Sequence, residues 1–116
     1  MKVKTAELTG AALDWAVAKC EGLEVNSQGR AWVPDPDMLH FNKQFKPSTD
    51  WAQAGPIIER ERISVISDYH EVKEGWLAEG YENGVQVFGP APLIAAMRCY
   101  VASKLGDEID LPEELT

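Results

Sequence analysis

Apolar positions recur at helical spacing in two stretches. Over residues 10–21, Leu13, Ala16, Val17 and Cys20 fall at i, i+3, i+4 and i+7, one core-facing stripe that Ala12 widens. Thr9 stands where an N-cap belongs and Gly22 where a helix ends, so this stretch predicts a helix. Asp14 and Lys19 fall on its outer side, and Trp15 off the stripe's centre, against a neighbouring loop. Over residues 91–105, Leu93, Ile94, Met97, Tyr100, Val101 and Leu105 cover two adjoining faces, and Ala95, Ala96 and Ala102 fill the rest. Pro90 and Pro92 suit a first helical turn, and Gly106 its close, with Lys104 favoured by the dipole at that end. A helix apolar on all sides is surrounded by protein. Arg98 interrupts it, and a guanidinium there requires an anionic or carbonyl partner.

Strand signals are shorter. Val3 and Leu8 anchor an edge strand over residues 2–8, and Arg30–Val33 is strand-like until Pro34-Asp35-Pro36-Asp37 interrupts it. Met38, His40 and Asn42 then alternate weakly with Leu39, Phe41 and Lys43. Ile63–Ser67 is β-branched, and residues 76–82 and 85–88 flank Asn83-Gly84, which predicts a hairpin through a two-residue type I′ turn. Ile109 and Leu111 suggest a last short strand that Pro112 ends. Within residues 46–62, Ser48, Thr49 and Asp50 are three successive candidate caps for a short helical turn, which Ala54-Gly55-Pro56 should break before a second turn carries Glu59 and Arg60 outward. The fold class is α+β, two main helices packed on a small, mostly antiparallel sheet. Residues 1–106 form one domain, followed by an acidic segment over residues 107–116.

Charge narrows the function. The net charge is −8, and Asp107, Glu108, Asp110, Glu113 and Glu114 supply −5 of it, which leaves −3 for residues 1–106. Such a surface repels phosphate backbones, so direct DNA or RNA binding is not expected; the acidic segment reads as a solvated, partly frayed stretch, with a lure for a basic protein partner as the alternative. Residues 112–116 hold too little apolar surface to contribute much to folding. No apolar run reaches the roughly 20 residues of a membrane span, and no apolar stretch follows Met1-Lys2-Val3-Lys4. With Cys20 and Cys99 read as core thiols in a reducing compartment, a cytoplasmic location in the host cell is expected.

Catalytic motifs are missing: the chain has no GxGxxG, P-loop, CxxC, HExxH or GxSxG. His40 lacks a companion at ligand spacing, and Asp68, Tyr69, His70, Glu71 and Glu74 match no metal pattern, so neither a metal nor a cofactor is expected and these residues read as a loop. Hydroxyls, an amide, an indole and both charge signs pool over residues 48–60. Ser48, Thr49, Asp50, Trp51, Gln53, Glu59, Arg60 and Arg98 are the candidate ligand residues, with Asp50, Glu59 or Asp14 to answer Arg98. Two functions fit this chemistry. One is a non-enzymatic binder of a small anionic ligand of nucleotide type, with Arg60 and Arg98 for phosphates and Trp51 or Trp76 to stack a base. The other is an inhibitor or adaptor that docks on a host protein. The apolar 91–105 helix calls for more cover than one small sheet and one short helix supply, so a homodimer is expected.

Three blocks carry a family likeness: TGAALDWAVAKCEG at residues 9–22, PSTDWAQAGPIIERE at 47–61 and PLIAAMRCYVASKLGDE at 92–108. In this order they resemble the NinX-like family of tailed-phage and prophage proteins. The resemblance implies a small, non-structural, cytoplasmic protein from a phage accessory region, a setting for host-defence signals or host enzymes as targets. It carries over no catalytic residues.

Overall fold

The computed structural model describes residues 1–67 and 75–115. Among the described residues, three α-helices, α1 (Gly10–Cys20), α2 (Trp51–Glu61) and α3 (Pro92–Leu105), stand among seven short strands. The strands form three antiparallel sheets. β1 (Lys2–Lys4) pairs with β7 (Glu108–Asp110), and β2 (Trp32–Pro34) with β3 (Asn42–Gln44). β4 (Ile63–Ser67), β5 (Trp76–Gly80) and β6 (Gln86–Gly89) form the largest, in that order. The α+β class is as expected. Residues 68–74, read above as a loop, lie outside the described residues.

α3 is the central element. Leu93, Ala95, Ala96, Met97, Cys99, Tyr100 and Val101 are all buried on it. Leu13, Ala16, Val17 and Ala18 of α1 cover one side, and Ile63, Ala78 and Val87 of the three-stranded sheet cover another. The helix apolar all round is therefore enclosed by its own chain, and its need for cover no longer argues for a dimer. Small residues bring helix and sheet together. A Cβ on Gly89 would lie 2.6 Å from the Ala95 nitrogen and 2.8 Å from its Cα.

α2 differs from the expected broken turns: it runs unbroken through Pro56 for 11 residues. Asp50, alone of the three candidate caps, accepts the Ala52 N–H at 2.9 Å. Pro56 removes the donor for the Ala52 carbonyl, but Ala52 is exposed, so the loss costs less than it would in a buried turn. Gly55 has no Cβ to meet the proline ring, which relieves the usual bar to helical backbone before proline. Ala54 and Ile57, both buried, hold the two halves to the core. Tertiary packing thus outweighs a local breaker.

The β5–β6 hairpin is present, with a longer loop than the Asn-Gly pair predicts. Gly80 N–H bonds Val85 O at 2.9 Å and Gly84 N–H bonds Gly80 O at 3.2 Å, which closes a four-residue loop. Only Gly84 of the pair has positive φ, at 67°, whereas type I′ requires it at both positions. Asn83 instead folds inward and accepts the Val85 N–H at 3.0 Å. At the chain ends, Met1 and Leu111 exchange hydrogen bonds of 3.1 and 2.9 Å, and buried Leu111 and half-buried Leu115 attach the acidic segment to the body.

Candidate functional site

The structure distributes the eight candidate ligand residues over three places. The first is the entrance to α2. Thr49 and Asp50 both donate their N–H to Lys46 O at 3.1 Å, a tight turn into the helix. Gln53 locks this turn to β3, accepting the Lys46 N–H at 2.7 Å and donating to Gln44 O at 3.1 Å. Ser48 is buried, and its N–H reaches Asp14 on α1 at 2.9 Å. Burial raises the Asp14 pKa, against the opposing effect of Ser48 and the Lys46 charge. Slight burial opposes ionisation of Asp50, but the Ala52 N–H and Lys43, 3.3 Å away, hold its pKa below the ordinary value. Trp51 is 59% exposed beside a groove of about 570 Å³ that Lys43, Gln44, Lys46, Thr49 and Asp50 complete.

Arg60 belongs to a second place, at the far end of α2, roughly 14 Å along the axis. It was expected to face solvent from a turn. It is exposed, on a continuous helix, and its guanidinium also holds Glu21 through two bonds, 2.7 and 3.3 Å, Glu61 at 2.9 Å and the Tyr100 hydroxyl at 3.1 Å. Tyr100 donates to Glu21 in turn, and Lys104 reaches Glu61 at 3.2 Å. This network ties the carboxyl ends of α1 and α2 to α3. Burial works against the Glu21 charge, but bonds from Arg60 and Tyr100 prevail and lower its pKa. Burial, then Glu21, raises the Tyr100 pKa. Burial and the Glu21 charge also push the nearby Cys20 thiol up to about 11, so it is a protonated packing group at neutral pH. Glu59 is exposed on the same helix.

A lowered carboxylate pKa contributes stability above its unfolded value, here 4.5, that is lost as pH falls through the folded value. Glu21 and Glu61 both shift this way around Arg60. The urea midpoint should therefore fall between pH 6 and pH 3.5, and fall less in Arg60→Gln, which lacks the shared partner. Equal falls in the two proteins would show that Arg60 holds neither carboxylate in solution.

Arg98 marks the third place and corrects an expectation. It is 3% exposed, and none of Asp14, Asp50 and Glu59 meets it. Its Nε donates to Leu8 O at 2.8 Å and its Nη1 to Phe88 O at 2.9 Å. Leu8 ends the segment before α1 and Phe88 lies on β6, so both carbonyls arrive beneath α3, where an outward carboxylate on α2 does not reach.

The sequence reading missed the outer side of the β2–β3 hairpin. Trp32 on β2 and Met38, Leu39 and Phe41 in the loop that joins β2 to β3 are 52–82% exposed, while Val33 packs against the core. Gln44 links the two surfaces, since it pairs with Trp32 across the strands and lines the Trp51 groove. The available signal was the run of large apolar residues, 38, 39 and 41, directly after a Pro-Asp-Pro-Asp turn, where a buried strand does not begin.

The family model described as Bacteriophage P22, NinX matches residues 4–104. The chain belongs to this family of phage proteins. No curated protein matches it.

Proposed function

We propose that this member of the phage NinX family is an accessory protein that acts by docking on a host protein through the outer side of its β2–β3 hairpin. The observation that carries the reading is the exposure of Trp32, Met38, Leu39 and Phe41 on one short hairpin. Exposed apolar side chains of this size, gathered on one short stretch of chain, mark interaction sites. Tryptophan and phenylalanine are also the types that dominate binding energy at interface centres. The hairpin is two strands of three residues, a unit with little stability of its own, so a partner that packs on it also orders it.

Sequestration of an anionic nucleotide has weaker support. Arg60 and Arg98, its phosphate ligands, are engaged within the chain. What favours it is the Trp51 groove with Lys43 and Lys46. The two readings part on one pair of variants. Leu39→Ser with Phe41→Ser should fold within about 0.5 kcal/mol of wild type, since both residues are exposed. A host protein cross-linked at position 39, identified and purified, should bind this variant at least 100-fold more weakly than wild type. Equal binding would refute the docking reading. A rise in melting temperature with a nucleotide, lost in Trp51→Ala, would replace it with the other.

A further inference from the structure

We propose that the gap between β1 and β6 is a slot for one extended segment of another protein, which adds as a strand and joins the two sheets. This does not depend on the hairpin reading. The strand pairing sets the backbone directions. Gly80 N–H bonds Val85 O, and residues 87 and 78 pair two positions further along, so Val85, Val87 and Gly89 direct their backbone groups to β5. Gln86 and Phe88 direct theirs to the open side. The Phe88 carbonyl agrees, since it accepts from Arg98 of α3 and not from β5. On β1, Met1 and Leu111 exchange both bonds and Thr5 N–H reaches Asp107 O, so Met1, Val3 and Thr5 face β7. Lys2 and Lys4 turn their N–H groups away from it.

These two edges, which no other strand among the described residues pairs, border one cavity. Lys4, Thr5 and Ala6 line it on the β1 side, and Val85, Gln86 and Val87 on the β6 side. Ala102 of α3 closes it within, and Asp107 and Glu108 stand at its border. Its volume is about 420 Å³. Three residues of extended chain, about 3.3 Å each along a strand spaced about 4.8 Å from its neighbour in a layer about 10 Å deep, occupy roughly 500 Å³. The slot thus matches a single short strand. Its far end is set by Arg98, which already occupies the Phe88 carbonyl on the same edge.

The chemistry of the occupant follows from the lining. Main-chain groups of an extended peptide satisfy the Gln86 N–H and C=O and the Lys4 N–H, the mode of β-strand addition. Ala102, Val85 and Ala6 favour an apolar side chain pointing inward. Two carboxylates against one lysine, on a chain of net charge −8, favour a lysine or arginine in the segment.

A displayed library of random 12-residue peptides, panned on the full chain, tests this. Enriched peptides should combine β-prone residues with lysine or arginine, and binding should slow hydrogen exchange at the Lys4 and Gln86 amides. Gln86→Pro removes the outward N–H while leaving the bonds to β5, which belong to neighbouring residues, and should weaken binding at least tenfold. Gln86→Ala, which keeps the backbone, should bind as wild type does. If Gln86→Pro does not fold, Glu108→Lys, at an exposed position, should weaken the basic peptides at least tenfold. No enrichment, a smaller loss in these variants, or protection on residues 32–44 in place of Lys4 and Gln86 would overturn the proposal.

Discussion

Arg98→Met should lower the melting temperature by about 12–20 °C. Methionine roughly keeps the volume and fits an apolar helix, so the loss is not one of packing or helix propensity. It comes from the groups that Arg98 meets, the carbonyls of Leu8 and Phe88 among them, which remain beneath α3 without the guanidinium that reaches these two at 2.8 and 2.9 Å. Each buried acceptor left unsatisfied costs about 1–3 kcal/mol, and breaking a buried charged contact typically costs 3–5 kcal/mol in total. A loss of about 3–5 kcal/mol corresponds to about 4 °C per kcal/mol for a domain of this size. Arg98→Lys should recover part of it, because one ammonium on a flexible stem does not reproduce the planar fork that reaches both carbonyls. Calorimetry on the two variants checks this. Arg98→Met melting within about 3 °C of wild type would mean that water replaces the guanidinium and that the site is wetter than its 3% exposure implies.

Gly89→Ala is the second large effect, and its cause is steric. The added methyl carbon would stand 2.6, 2.8 and 3.0 Å from the nitrogen, Cα and Cβ of Ala95. Two of these atoms are helix backbone, so no side chain can swing aside. Either β6 or α3 must shift, and α3 is packed on α1 as well as on the sheet. Overpacking of this kind costs about 1–3 kcal/mol, at the upper end where backbone must move. Gly84→Ala separates this from a general sensitivity to glycine loss: nothing lies within 4 Å of its Cβ position, and only its φ of 67° opposes alanine. Urea unfolding should show Gly89→Ala as the more destabilised of the two. The reverse order would mean that the Gly89–Ala95 approach relaxes at little cost.

The elements that were legible in the sequence are those whose signal is local and redundant. α1 and α3 combine apolar periodicity, an entry signal and a terminating glycine, and several concordant cues leave few alternatives. The hairpin at Asn83-Gly84 was legible for the same reason, although its loop type was not, because Asn83 spends its side chain on the Val85 N–H. α2 was misread at Pro56, where a local rule gave way to the burial of Ala54 and Ile57 on either side.

The candidate site divides along the same line. Residue type marked the 48–53 segment as a place where polar groups gather, and Thr49, Asp50 and Trp51 do line one groove. Residue type could not say which arginine was already engaged. Arg60 meets Glu21, 39 positions away, and Arg98 meets the carbonyl of Leu8, 90 positions away. Such pairings depend on how helices cross, and nothing in either neighbourhood along the chain encodes them. The sequence by itself determined α1 and α3, the class of the fold, the excess of negative charge and the family. The tertiary structure alone decided which polar groups are consumed in holding α1, α2 and α3 together, and which apolar residues of the 32–44 hairpin stay outside. The physical reason is that periodicity and turn chemistry act over a few residues, whereas burial and hydrogen-bond satisfaction are properties of surfaces that meet only after the chain has packed.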